Sequence, residues 1–359
     1  MTRPSRVVID KQALKHNFRR AQELAPDSKI MAIIKADAYG HGLIRVAKTL
    51  IDADAFGVAC LEEAEQLRAA SITTPIVLLE GPHKAIDLSL IVKLHLDIVI
   101  HNEYQLEILE HATLAEPLQV WLKIDTGMHR LGFPADKVSD VLQRLSNSPN
   151  VKMAPGLMTH LATANEKDNP LTQQQLEIFN RVCNGLDSEK TIANSAAVIN
   201  FPETHVDWIR PGLMLYGVSP LTGCCASEHG LKSVMTLESE IISIQYLDKG
   251  EPVGYGATWQ CPEDMPVGIV AAGYGDGFPR HAKPGTPVFV NDVRCALIGR
   301  TSMDMMTIDL RNQPEAKIGD RVVLWGESLP VEEIARHAET IPYELLCGVH
   351  KRLEFIERD

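Results

Sequence analysis

Along the first 220 residues, short apolar runs alternate with segments whose apolar side chains recur every three or four positions. The first kind predicts buried strands and the second amphipathic helices. Asp10 predicts an N-cap for a helix with Leu14, Phe18, Ala21 and Leu24 on one face. A strand over 30–35 follows, then a helix around 43–51, a strand over 56–60 and a helix over 61–70. A strand over 75–80 precedes a helix from about 84, and a strand over 97–101 precedes a helix over 103–111. Strands over 118–123, 156–160 and 190–194 lead into helices near 135–146, over 171–183 and a short one after 194; an eighth strand lies near 206–210. Eight strand–helix units predict an α/β fold, an N-terminal (β/α)8 barrel. An open doubly wound sheet also alternates, but no G-x-G-x-x-G follows the first strand.

The pattern changes after about residue 228. Helical faces stop, and alternating segments such as Ser239–Ile244 appear between turns. Residues 251–300 contain 8 Gly and 6 Pro, which suits tightly turned strands rather than barrel units. The expected organisation is a barrel domain over 1–228 and a mostly β domain over 229–359, with one helix at 331–338.

Composition narrows the class. The chain is 45% hydrophobic and 23% charged, with a net charge of -12, which disfavours a nucleic-acid partner. No stretch of about 18 apolar residues predicts a membrane span. Met1–Arg6 has no secretory apolar core, and a cytoplasmic location is expected. Seven cysteines (Cys60, Cys183, Cys224, Cys225, Cys261, Cys295, Cys347) and thirteen histidines are scattered without metal-ligand spacing, so reduced thiols and no metal site are expected. The adjacent Cys224-Cys225 pair lies in a Gly/Ser-rich loop and receives no role.

Candidate chemistry sits at strand ends. Lys35, Lys123, His160, Asn194 and Arg210 each close a predicted strand, and the C-terminal face of a barrel is where reactive groups gather. Lys35 opens Lys35-Ala36-Asp37-Ala38-Tyr39-Gly40-His41-Gly42. Such a lysine could snorkel or form a Schiff base with a carbonyl, the usual tether of pyridoxal phosphate (PLP). Asn194-Ser195 suits either a helix cap or a phosphate site, and Arg210-Pro211-Gly212 either a salt bridge and turn or a cofactor contact. Arg130, in the segment Lys123–Gly132, could bind a carboxylate bidentately. In the second domain, Tyr255, Tyr274, Met303-Asp304 and Tyr343 each lie in turn-like surroundings.

Together these segments resemble alanine racemase, the barrel-type PLP-dependent amino-acid racemase, over essentially the whole chain. The most specific are Ala32–Gly42 and Lys123–Gly132. The resemblance implies that Lys35 carries PLP, that Tyr39 and Tyr343 reach its phosphate, and that Ser195, Gly212 and Leu213 complete the phosphate cradle. It places His160 and Asn194 beside the ring, Arg210 at the pyridine nitrogen and Arg130 near the substrate carboxylate. Lys123 matches a lysine carbamylated in many relatives. Tyr255 matches the second catalytic base, Met303 a substrate contact with Asp304 beside it, and Tyr274 with Tyr343 the tyrosines that narrow the entrance.

In relatives the tyrosine base and the methionine come from the partner subunit, so a homodimer with composite sites is implied. The implied reaction is racemisation of L- and D-alanine by two bases, for peptidoglycan supply or alanine catabolism. A barrel-type decarboxylase would be expected to place an acid where Arg210 stands. A broad-specificity racemase would carry an export signal, and a non-catalytic PLP-binding barrel would lack the second domain. The ending Val349–Phe355 departs from the family's usual arginine-valine-proline, and Trp259 stands where tyrosine is frequent.

Overall fold

The computed structural model describes residues 3–152 and 154–359. The chain opens with β1 (Arg6–Asp10) and α1 (Lys11–Leu24), and Asp10 accepts a hydrogen bond from the Ala13 amide at 2.8 Å as the N-cap. Alternating elements follow: β2 (Lys29–Ile33), a one-turn segment α2 (Lys35–Tyr39), α3 (Leu43–Thr49), β3 (Ala55–Val58), α4 (Leu61–Ala69), β4 (Ile76–Leu78), α5 (Asp87–Lys93), β5 (Leu96–Ile100) and α6 (Glu103–His111). Then come β6 (Val120–Asp125) with a two-residue spur β7 (Phe133–Pro134), α7 (Val138–Asn147), β8 (Gly156–Met158), α8 (Pro170–Cys183), β9 (Lys190–Asn194), α9 (Ser195–Asn200) and β10 (Trp208–Arg210).

Strands β2, β3, β4, β5, β6, β8, β9 and β10 pair in that order, all parallel, and β10 closes on β2 through Trp208–Lys29 and Ile209–Ile30. This is the expected eight-stranded barrel. Nearly every barrel strand residue is buried, because helices cover the outer face and side chains fill the interior. The alternation of apolar runs with helical patterns is the sequence image of that enclosure. Caps agree with it too: Asn102 accepts from the Gln105 amide, Asn169 from Leu171 with Pro170 in the first turn, and Asn194 from Ala197.

The second domain is built on β11 (Met235–Leu247), a 13-residue strand. After the short hairpin β12 (Pro252–Val253) and β13 (Trp259–Gln260) come β14 (Met265–Val270), β15 (Pro287–Val290), β16 (Val293–Ile298), β17 (Met306–Asp309) and β18 (Arg321–Trp325). They run antiparallel in the order β14-β17-β16-β15-β18-β11, and β14 also pairs with β11, so the sheet closes on itself. Helices α10 (Val331–His337) and α11 (Pro342–Cys347) precede the last strand, β19 (Glu354–Arg358).

Although it precedes the barrel in sequence, β1 belongs to this second sheet. It pairs antiparallel with β11 and parallel with β19, so both ends of the chain are tied into one edge. The short helix α11 was not expected; Pro342 at its first position is the signal for it. The predicted strand over 30–35 ends at Ile33, which leaves Lys35 beyond the ladder.

One barrel position tests the energetics. Burial pushes the Asp97 carboxyl on β5 up to about 6, against the opposing attraction of Lys152 and Arg68. A carboxyl whose folded pKa is raised costs stability above that pKa, and the cost disappears as pH falls through it. Asp97→Asn is therefore expected to stabilise the protein by about 1–2 kcal/mol at pH 8. Thermal unfolding across pH should show the gain shrinking below pH ~6; a gain independent of pH would contradict the assignment.

Candidate active site

The C-terminal mouth of the barrel opens into a cavity of about 890 Å³. Eleven of the fifteen site residues expected from the sequence line it: Lys35, Tyr39, Lys123, Arg130, His160, Asn194, Ser195, Arg210, Gly212, Leu213 and Tyr343. They come from the ends of β2, β6, β8, β9 and β10, from the loops that follow, and from α11. A closed parallel barrel brings all strand C-termini to one face, so residues scattered over more than 300 positions share one space.

Lys35 heads α2, an unusual segment. Ala36, Asp37, Ala38 and Tyr39 all have φ between 52° and 54°, a left-handed turn made of four non-glycine residues. Left-handed backbone costs an L-residue roughly 1–2 kcal/mol, so the run stores on the order of 4–8 kcal/mol. Gly40 and Gly42 continue at positive φ, and Gly40 must be glycine for a second reason: a Cβ there would lie 2.1 Å from the Leu346 carbonyl oxygen of α11. The turn sends both Lys35 and Tyr39 into the cavity.

Four cations share the site. Burial lowers the Lys35 pKa, and Arg130 lowers it further. Burial, then Arg210, Arg130 and Lys35, bring Lys123 down to about 8. Burial alone brings Arg210 to about 10, so it stays charged at neutral pH. Its guanidinium donates to Thr191 Oγ1 and to the Thr159 carbonyl, both at 2.6 Å. His160 is held well below its ordinary pKa by burial and then by Arg210, so its ring is neutral. Glu80 and Glu332 also line the wall.

Small groups meet at the ends of β9 and β10. The amides of Gly212 and Met214 donate to Ser195 Oγ at 2.8 and 3.3 Å. A Cβ on Gly212 would lie 2.6 Å from the Tyr39 hydroxyl. Tyr39 in turn packs between Tyr216 and Tyr343, with ring centroids 4.8 and 5.8 Å away. Asn194 caps α9 through its side-chain oxygen while its amide donates to the Leu161 carbonyl at 3.3 Å.

These residues fit PLP. The cradle of hydroxyls and amides with no room for a Cβ suits a phosphate, the cationic wall suits anions, and the amine of Lys35 has its charge disfavoured by burial. Among the described residues no cluster of His, Cys, Asp and Glu is arranged to hold a metal.

Four expected residues lie elsewhere. Tyr255, Tyr274, Met303 and Asp304 are on the second domain and do not line the cavity. Tyr255 is 69% and Met303 54% exposed. The loops of Tyr274 and of Met303-Asp304 are tied together: fully buried Asp276 accepts from Arg3 at 2.7 Å and from Arg352 at 2.8 Å, and Arg352 reaches Asp304 at 2.9 Å. The unusual chain ending thus retains an arginine that braces the Tyr274 and Met303 loops. The structure also adds Cys224, Cys225 and Cys347 to the cavity wall, which the scattered cysteine spacing did not signal.

Residues 9–220 match the alanine racemase N-terminal domain and residues 234–357 the alanine racemase C-terminal domain. Alanine racemase from Nitrosococcus oceani is 54% identical over 347 residues, covering 96% of this chain and 97% of that protein. The structure of biosynthetic alanine racemase from Pseudomonas aeruginosa superposes with a TM-score of 0.97 at 45% identity, covering all of both chains. That of alanine racemase from Bartonella henselae, with covalently bound pyridoxal phosphate, gives 0.90 at 27% identity over 99% of each chain.

The Gly212 contact yields a measurement. Gly212→Ala forces the tip of Tyr39 or the β10 loop to shift, and the overpacking should weaken PLP uptake by about tenfold or more. Absorbance titration of the cofactor-free variant checks this; wild-type affinity would show that the Tyr39–Gly212 approach is not part of the cradle.

Proposed function

This chain belongs to the alanine racemase family and is an isomerase acting on alanine; we propose that it works with PLP on Lys35 and two bases, Lys35 and the partner subunit's Tyr255. The observation that carries the reading is the convergence of Lys35, the small-residue cradle at Ser195 and Gly212, and Arg210 on one cavity. When bound, PLP supplies an electron sink that acidifies the α-hydrogen of an attached amino acid.

The chain's own residues account for the rest. Tyr39, Tyr343, Ser195 and the backbone at Gly212–Leu213 anchor the phosphate. Arg210 is charged and can only donate, so it would hold the cofactor's ring nitrogen by a hydrogen bond without supplying it a proton. His160 and Asn194 flank the ring. Arg130 and Met303 bind the substrate, with Asp304 and Tyr274 supporting them from the second domain.

Racemisation needs a proton removed on one face and delivered on the other. Lys35 Nζ holds the proton on one side, and burial beside Arg130 favours its neutral, accepting form. The hydroxyl of Tyr255 serves the opposite side. An ordinary tyrosine has a pKa near 10, so this role needs a positive neighbour, for which Arg210 acting through neutral His160 is the candidate. Lys123, brought to about 8, has a substantial neutral fraction at mildly alkaline pH. Its amine can add carbon dioxide with loss of a proton, giving a carbamate that turns a repelling cation into an anion able to orient Arg130.

The second base lies outside the Lys35 cavity and is exposed, which supports a homodimer with composite sites. The reading includes a cytoplasmic enzyme that supplies D-alanine for peptidoglycan or interconverts alanine for catabolism. The biosynthetic description of the Pseudomonas aeruginosa relative favours the former.

Two experiments test this. Tyr255→Ala should abolish solvent exchange of the α-hydrogen of L-alanine while sparing that of D-alanine, followed by deuterium incorporation; equal loss from both enantiomers would refute the face assignment. Lys35→Ala and Tyr255→Ala should each be inactive alone. Exchanging subunits between them should restore activity, because each mixed dimer contains one intact site. No recovery despite proven subunit exchange would refute composite sites.

A further inference from the structure

We propose that Glu63 and His41 are positioning residues that lock the left-handed turn of α2, and with it Lys35 and Tyr39, into the cofactor-receiving geometry before any cofactor binds. What the turn presents rests on the function proposed above; the lock itself is a property of the cofactor-free fold.

The turn carries backbone bonds of its own: the amide of Ala38 donates to the Ile34 carbonyl at 2.8 Å, Gly40 to Ala36 at 3.0 Å, His41 to Ala38 at 3.1 Å and Gly42 to Asp37 at 2.9 Å. These do not impose a hand that four L-residues disfavour, so surrounding groups must over-determine it. Two buried side chains do so from opposite sides. Glu63, in the first turn of α4 and 9% exposed, accepts the Asp37 amide on Oε1 at 3.3 Å and the Ala59 amide on Oε2 at 2.9 Å. Its carboxylate thereby ties the middle of the turn to the end of β3.

His41 closes the other side. Its Nδ1 lies 2.9 Å from the Tyr39 carbonyl oxygen and 3.1 Å from that of Ala38. Two facing acceptors require the proton on Nδ1, and Nε2 is buried without a partner. Burial brings the ring down to about 4, consistent with this neutral form. The imidazole packs on Tyr216 at 4.5 Å, and the Tyr216 hydroxyl donates to the Ile33 carbonyl at 3.0 Å. Tyr216 also packs on Tyr39, with ring centroids 4.8 Å apart. Asp37 completes the frame by accepting the Leu43 amide at 2.7 Å, joining the turn to α3.

Neither Glu63 nor His41 lines the cavity, so neither touches substrate or cofactor. Both act on backbone atoms of residues 37–39, which separate the Schiff-base lysine from the phosphate-contacting tyrosine. Holding that backbone fixes the spacing and direction of Lys35 relative to Tyr39. Without it, the turn is free to relax toward right-handed or extended backbone.

The test uses full-length Glu63→Gln, which keeps volume but loses one acceptor, and His41→Phe, which keeps the aromatic packing but loses the donor. In the cofactor-free state, amide hydrogen exchange in peptides spanning 34–43 should accelerate by about tenfold or more. Peptides from β5 and from the second domain should keep wild-type exchange. PLP uptake should weaken by a similar factor, and after saturation with PLP kcat should fall while KM for L-alanine stays within about twofold. Unchanged exchange over 34–43 in both variants, or acceleration spread evenly over the chain, would overturn the proposal. If one variant fails to fold, the other gives the same reading. Wild-type protein that takes up no PLP would sink the proposed function while leaving the exchange comparison intact.

Discussion

Four cationic side chains meet at the mouth of one parallel barrel, and their repulsion is the constraint around which the site is organised. Lys35, Lys123, Arg130 and Arg210 would not share a cavity by their own preference. Lys123 is brought to about 8 because burial and three neighbouring cations oppose its charge, and His160 stays neutral for the same reasons. An anion relieves this arrangement more than any neutral ligand could. The rest of the molecule accentuates the contrast: a chain of net charge -12 concentrates positive potential in one half-enclosed space.

Strain is the second device. Three barrel strand ends lead to ordinary right-handed helices with side-chain caps, at Asn102, Asn169 and Asn194. After β2 the chain instead enters a left-handed turn, at Lys35, which lines the cavity. The barrel can support this because the turn is surrounded: α4 offers a carboxylate, α11 packs its backbone against Gly40, and Tyr216 supports it from beneath. Rigidity here is an outcome of many contacts rather than of local preference, which is how a strained backbone persists.

The second domain serves a different purpose. Its closed antiparallel sheet holds both chain ends along β11, and the buried Asp276 gathers Arg3 and Arg352 beneath the loops of Tyr274 and Met303. These loops are exposed yet firmly braced. A surface of that kind is suited to present fixed side chains to another molecule.

Much of this was legible in the linear pattern. The eight barrel strands, the Asp10 cap, the helices over 103–111 and 171–183, and the change to turn-rich β structure after residue 228 follow from periodicity and from Gly and Pro placement. These signals are local, so sequence carries them. That Lys123, Asn194 and Arg210 lie near strand ends, with Lys35 and His160 two residues beyond theirs, was legible for the same reason. Not legible was the hand of the turn at 36–39, since Ala, Asp, Ala and Tyr have no left-handed preference. Nor was the pairing of β1 with a sheet assembled more than 220 residues later, or the arrival of α11 and Cys347 at the cavity wall. By itself the sequence determined the candidate residues at the strand ends and the barrel that brings them to one face. Only the tertiary structure decided their protonation, their strain and which of them share a cavity, because burial, neighbouring charge and packing are properties of long-range contacts.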